Sequence, residues 1–238
     1  MPDPVPDVIP PPATRTLSEA ASKTLLARFG VPFPEERIVA DPDEAVAAAD
    51  ALGYPVVAKL NGDRIAHKTE RGLVRLGLGD AEAVRAAAAD LLAAATPQDG
   101  DVAVLVAPML RATRELIVGL SRDPQFGMTV ALGVGGVLAE AIGDVSIRLV
   151  PVEREDVEEM IDDLRTASLL HAFRGEPPVD RSRLVDVVLA LSRAATAHPE
   201  LVSADLNPVL VVGGEPVAVD ALVEVVEVVD GESSRGAS

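Results

Sequence analysis

Leu201–Glu224, LVSADLNPVLVVGGEPVAVDALVE, consists of two apolar runs joined by Gly213-Gly214. A Gly-Gly pair between β-branched segments marks a two-residue hairpin turn, because both residues accept φ > 0 without steric cost. Pairing Val212 with Glu215 across the turn fixes the register. Asn207 then falls opposite Asp220, with Cβ atoms ~4.5–5.5 Å apart. Strand alternation puts Asp205 on the face of Asn207, so one sheet surface presents Asp205, Asn207 and Asp220 together. That set suits a hard divalent cation. Mg²⁺ prefers oxygen ligands and is often held by one or two protein groups, with phosphates and water completing its octahedron. The same three residues also read as the wet face of an ordinary hairpin.

Around this hairpin the composition narrows the function classes. With 238 residues, 48% of them hydrophobic, the chain can bury a sizeable core as one compact domain or two small lobes. Its net charge is −17, from 38 acidic against 21 basic residues, which repels nucleic-acid backbones and anionic membrane surfaces. Four Phe, one Tyr and no Trp leave few platforms for stacking bases. The absence of cysteine excludes disulfides, thiolate catalysis and a cysteine zinc site. No export signal or bilayer-length apolar run is visible, and a cytoplasmic location is expected.

Upstream of the hairpin, helices and strands alternate. Residues 1–14 are proline-rich and predict an extended tail. Ser18 caps a helix to Phe29 with Leu17, Ala21, Leu25 and Phe29 on one stripe, and Gly30 follows as its C′ residue. A strand over 37–40 leads to Asp41-Pro42-Asp43-Glu44, a cap, an N1 proline and an N3 acid, and so to a helix ending at Leu52. Strands are expected at 55–60 and 73–78 around a polar loop, followed by an alanine-rich helix from Asp80 to Ala95. Further strands are expected at 102–107, 115–120, 129–132, 137–140 and 145–149, with helices at 153–164, 167–173 and 183–197. The order predicts two α+β lobes with a cleft between them.

Lys59 ends an apolar strand, where its ammonium can meet a phosphate or simply snorkel to solvent. His67 and Lys68 sit in the loop IAHKTERG. An exposed imidazole there can shuttle protons or accept a phosphoryl group, or be only a solvated side chain. Capping or packing roles suit His171 and His198 better. Gly133-Val134-Gly135-Gly136 can bring backbone N–H groups to phosphates, but it has neither the Walker A nor the Rossmann spacing and reads equally as a turn.

Taken in order from 15 to 225, LSEAASKTLLARFGVPFP, YPVVAKL, AHKTERGLV, VLVAPML, RELIVGLSRDPQFG, LGVGGVLAE, DVSIRLVPV, FRGEPPVD and ADLNPVLV resemble the ATP-grasp β subunit of NDP-forming acyl-CoA synthetases. These are ADP-forming acetate:CoA ligases, relatives of succinyl-CoA synthetase. The resemblance implies a mixed α+β ATP-grasp fold holding ATP or ADP between two lobes, 15–105 and 106–228, flanked by disordered tails at 1–14 and 229–238. It implies Lys59 on the phosphates, a Val106-Ala107 linker presenting backbone to adenine, and Glu115 as a nucleotide-contacting acid beside Gly135 and Gly136. It implies Asn207 and Asp220 as Mg²⁺ ligands. Asp205 resembles the acid that steadies an incoming phosphohistidine, and His67 resembles a second histidine phosphorylated in some members.

The CoA-binding domain and the swinging phosphohistidine loop belong to the family's α part, and this chain is expected to lack both. The expected function is therefore phosphoryl transfer within a hetero-oligomer catalysing acyl-CoA + ADP + phosphate ⇌ carboxylate + CoA + ATP. The alternatives are a carboxylate-amine ligase of the same fold and a non-catalytic nucleotide-sensing module.

Overall fold

A computed structural model of the chain describes residues 13–65, 68, 71–136, 142–172 and 175–227. His67, the strand expected at 137–140, and most of both expected tails lie outside the described residues.

Two antiparallel sheets organise the chain. The smaller has the order β2-β5-β3-β4, formed by β2 (Arg37–Val39), β3 (Val56–Gly62), β4 (Val74–Leu78) and β5 (Val102–Pro108). Helices α2 (Pro42–Leu52) and α3 (Ala81–Ala93) cover one face of it. Both begin where their caps predict. Asp41 accepts from the N–H groups of Asp43 and Glu44, each at 2.9 Å, and Asp80 accepts from Ala83 N–H at 2.9 Å. Ala45, Ala49 and Ala88 then pack with Val84 and Leu91 against Val56, Ala58 and Leu60 in one apolar core.

The larger sheet has the order β1-β11-β9-β6-β7-β8, with β10 also paired to β9. It comprises β1 (Thr14–Thr16), β6 (Glu115–Asp123), β7 (Gly127–Val134), β8 (Val145–Leu149), β9 (Leu201–Val212), β10 (Glu215–Ala218) and β11 (Leu222–Val226). The amphipathic helices α4 (Arg154–Asp162) and α5 (Arg181–Ala197) close its core. Leu184, Val188 and Leu191 of α5 are sealed in that core with Val118, Leu120, Val130, Leu132 and Leu206. Each such side chain contributes roughly 1.5–3 kcal/mol on burial.

The glycine hairpin has the register read from its turn. Glu215 lies opposite Val212 and Ala218 opposite Val209; beyond a break, Leu222 lies opposite Asp205. That register puts Asn207 and Asp220 across from each other. The returning arm is two short strands rather than one, interrupted at the residues carrying Asp220. On its other side β9 bulges. Leu116 faces Val209 and Val118 faces Leu206, so Asn207-Pro208 occupies one extra position opposite Ile117. Proline is tolerated there because a bulge residue need not donate to the ladder.

The structure differs from the sequence reading at several points. Helix α1 (Glu19–Ala27) buries Glu19, Ser22, Lys23 and Leu26, whereas the expected stripe of Leu17, Leu25 and Phe29 is only partly buried against the large core. Leu26 and Val31 join that core, and Thr14 pairs with Val226. The N-terminal segment therefore belongs with the larger sheet, so a boundary at 105–106 does not separate the lobes, and Thr14 is not tail. Strands β6 and β7 outrun their expected ends because Asp123 accepts from the N–H groups of Gln125 and Phe126, at 2.7 and 2.9 Å, closing a tight connection.

Candidate nucleotide and metal site

Lys59 lies within β3 rather than at its end, because the strand continues through the polar Asn61 to Gly62. Alternation turns Val56, Ala58 and Leu60 to the helix-covered core and Val57, Lys59 and Asn61 to the opposite face. The N-terminus of α1 rests on that face. Ala20 N–H donates to Asn61 Oδ1 at 3.0 Å and Ser18 N–H to Asp63 Oδ1 at 3.1 Å. These acceptors take up two of the amide donors that a helix start leaves without partners. The same docking delivers Glu19, in the first turn of α1, to the ammonium group of Lys59.

A compact set of charges results. Glu19 Oε1 accepts from Lys59 Nζ and Lys23 Nζ, each at 2.7 Å, while Glu19 Oε2 accepts from Lys68 Nζ. Asp220 approaches the same two site lysines from the hairpin, with Oδ2 3.2 Å from Lys59 and Oδ1 3.5 Å from Lys68. Lys59 also donates to the carbonyl of Val219 at 3.0 Å, and Ala221 N–H donates to Asp220 Oδ1 at 2.8 Å. The Glu19 side chain is wholly enclosed, whereas that of Asp220 keeps 28% of its surface exposed. Burial pushes the Glu19 carboxyl up, but Lys59, Lys23 and Lys68 together outweigh it and hold the group at about 2. Burial likewise pulls the Lys59 ammonium down, and the charges and hydrogen bonds of Glu19 and Asp220 reverse that, raising it above its ordinary value.

Asp205 and Asn207 are exposed on the same sheet surface. Gly119 of β6 lies directly opposite Asp205, and the missing side chain keeps the space beside the carboxylate open. Desolvation by the surrounding protein, followed by the Asp220 carboxylate, raises the Asp205 carboxyl above its ordinary value. Asp220 of the hairpin thus meets Lys59 of β3 and Lys68 of the segment after it between the two lobes, beside the open surface of Asp205.

A second group forms where β6 begins. Gly135 N–H donates to Glu115 carbonyl oxygen at 2.7 Å, and a Cβ on Gly136 would lie 3.7 Å from Glu115 Oε2. Glu115, Gly135 and Gly136 are therefore neighbours. Val106 and Ala107, put in a linker by the resemblance but in a strand over 102–107 by the apolar pattern, lie inside β5, because both residues stay paired with β3 and the strand ends only at Pro108. Ala107 sits opposite Val57 and Leu105 opposite Lys59, and all three apolar residues are buried although their face is turned away from α2 and α3. They make an apolar floor beside the lysine. His198 caps the end of α5, with its Nδ1 2.8 Å from the accepting carboxylate of Glu200 and its ring packed edge-on to Phe29, and the carbonyl of His171 accepts from Arg114.

The ATP-grasp domain model matches residues 12–225. The chain belongs to the ATP-grasp family. Among its relatives, this ATP-grasp chain is 36% identical over 210 residues to the β subunit of ADP-forming acetate–CoA ligase I of Pyrococcus furiosus, covering 87% of this chain and 90% of that one. It is also 36% identical over 189 residues to ADP-forming acetate–CoA ligase I of Archaeoglobus fulgidus, covering 79% of this chain but only 28% of that longer one. In structure it resembles dinucleotide-forming acetyl-coenzyme A synthetase 1 of Candidatus Korarchaeum cryptofilum in complex with coenzyme A and Mg-AMPPCP, whose phosphohistidine segment points towards the nucleotide-binding site. The TM-score is 0.76 at 33% identity, over 90% of this chain and 93% of that one.

The ATP-grasp site suits a hard cation in its donor chemistry. Asn207 and Asp220 offer oxygen ligands on an accessible surface beside Lys59 and Lys68. Among the described residues no three of His, Cys, Asp or Glu group tightly enough to hold a metal by themselves.

The sequence reading missed Glu19, Lys23 and the buried position of Lys68. One local signal was available, since Glu19 and Lys23 are spaced i,i+4 on the face of α1 that also buries Ser22 and Leu26.

Proposed function

We propose that this chain is the nucleotide-binding, phosphoryl-transferring β subunit of an NDP-forming acyl-CoA synthetase. It works in the cytoplasm with a CoA-binding α subunit that carries a phosphohistidine, and together they catalyse acyl-CoA + ADP + phosphate ⇌ carboxylate + CoA + ATP. The observation that carries the reading is the convergence of Lys59 and Lys68 with Asp220 between the lobes, beside the open surface of Asp205 and Asn207.

In this reading the apolar floor of Val57 and Ala107 receives the base, and Lys59 and Lys68 receive the phosphates. Glu115, Gly135 and Gly136 line the nucleotide from the larger sheet. Asn207 and Asp220 hold Mg²⁺, which supplies charge neutralisation on the phosphate oxygens. Phosphoryl transfer needs mainly alignment and neutralisation of developing charge, and fixed lysines provide both. Asp205 stands clear of the lysine cluster and accepts a hydrogen bond from the partner's imidazolium, orienting it. His67 takes the phosphoryl group from the partner and passes it to ADP.

The test combines the chain, its CoA-binding partner, acyl-CoA, ADP and labelled phosphate. ATP should form only with both proteins present, and this chain should acquire an acid-labile, base-stable phosphate that His67→Ala abolishes while ADP affinity is kept. Robust carboxylate-dependent ATP consumption by the chain alone would overturn the half-enzyme assignment. Labelling that survives in His67→Ala would remove the relay.

A further inference from the structure

Lys59 and Lys68 come from a strand and from the segment after it, yet their ammonium groups share the same two carboxylates, which differ in kind. Glu19 is wholly enclosed and bonds Lys59 at 2.7 Å; Asp220 is partly open to solvent and lies farther away, at 3.2 and 3.5 Å. A solvent-borne anion can therefore displace Asp220 but cannot reach Glu19.

Glu19 is also fixed from behind. Its Oε1 is shared with Lys23, which is bound at 2.7 Å to Glu36 and lies over the Phe33 ring at 5.8 Å. The helix that carries it is pinned to β3 and its following turn by the bonds from Ala20 to Asn61 and from Ser18 to Asp63. An enclosed carboxylate facing three ammonium groups cannot leave them, because an unpaired buried charge is strongly unfavourable.

Resting on the nucleotide site proposed above, we infer that Glu19 is the positioning residue of that site. Its carboxylate keeps Lys59 and Lys68 side by side when nucleotide phosphates draw them away from Asp220. An ammonium group has three donors. Those of Lys59 reach Glu19, Val219 and Asp220, and only the Asp220 bond is open to exchange. Once it is exchanged, the lysine pair presents positive charge outward while Glu19 neutralises it from within. Adjacent phosphates meet two cations at a fixed spacing, which favours a diphosphate over a monophosphate.

Three variants test this role by calorimetry with Mg-ADP and Mg-AMP and, with the partner present, by the split between KM and kcat. Glu19→Gln should raise the Kd for Mg-ADP about tenfold or more per folded molecule, as expected for loss of charged hydrogen bonds, and should raise KM more than it lowers kcat. Its preference for ADP over AMP should shrink. Glu19→Asp keeps the charge but withdraws it by one methylene, and should weaken binding about threefold. Lys23→Met removes one partner of Glu19 but leaves its charge on Lys59 and Lys68, and should weaken binding less than Glu19→Gln does, about threefold at most.

Wild-type affinity in both Glu19→Gln and Glu19→Asp overturns the inference, as does an equal loss in Lys23→Met, which would mean that the network only supports the fold. If Glu19→Gln does not fold, wild-type affinity in Glu19→Asp is sufficient to refute the role. A wild-type protein that binds no Mg-ADP would instead remove the nucleotide site itself.

Discussion

Asp220→Asn should change nucleotide affinity in opposite directions with and without magnesium. In the free protein Asp220 is bound to Lys59 and Lys68 at 3.2 and 3.5 Å, so it competes with phosphates for the same two cations. Pairs of this length on a partly exposed carboxylate are each worth about 0.2–1 kcal/mol. Removing both should free the lysines and tighten ADP by about 1 kcal/mol, roughly fivefold, when no divalent ion is present. The amide oxygen of the new asparagine still accepts from Ala221 N–H, so the hairpin keeps its local bond. With magnesium the charged ligand is gone, and the affinity should fall by an order of magnitude or more. Calorimetric titration of ADP into both proteins, once with chelator and once with excess magnesium, measures the two effects. A change of the same sign in both buffers, or none in either, would mean that Asp220 neither competes for the lysines nor holds the metal.

The Glu19 carboxyl lies at about 2 when folded, against an ordinary 4.5, so its ionic contacts add stability that is fully present above 4.5 and is lost as the pH falls towards 2. At 1.36 kcal/mol per pH unit that contribution is about 3 kcal/mol, and denaturant titrations across the window should show the loss; a stability that stays level there would contradict the paired state of Glu19. Gly135→Ala would put a Cβ 3.2 Å from the Glu115 backbone and side chain, atoms that cannot swing aside. A melting curve should show about 1–3 kcal/mol lost to overpacking, and ADP binding should weaken as Glu115 shifts; unchanged binding would take Glu115 out of the site.

The hairpin register was legible because it needs only a turn type and counting, both local. The α2 and α3 starts were legible for the same reason, since their caps and first turns are contiguous in sequence. What escaped the reading depends on contacts between distant segments. Nothing near Glu19 announces that it will meet Lys59, forty positions on, and Lys68, or that Asp220 will reach both lysines from the other lobe. Apolar periodicity misjudged α1 for this reason, since its inner edge is turned to cations and only half to the core. The apolar run over 102–107 gave the strand correctly, and it was the resemblance that put Val106 and Ala107 in a linker, whereas pairing with β3 carries β5 to Pro108. The lobe boundary was placed by chain order, and β1 joins the far end of the chain instead.

That pairing of β1 with β11 has a consequence for how the module can be combined with others. Thr14 stands beside Val226 on the sheet edge opposite β8, so both ends of the folded unit leave from one spot. A neighbouring domain attached before Thr14 or after Val226 would be tethered at nearly the same point in space. Such a unit can be spliced into a longer polypeptide, or carried as a separate subunit, without rerouting the backbone across the lysine cluster.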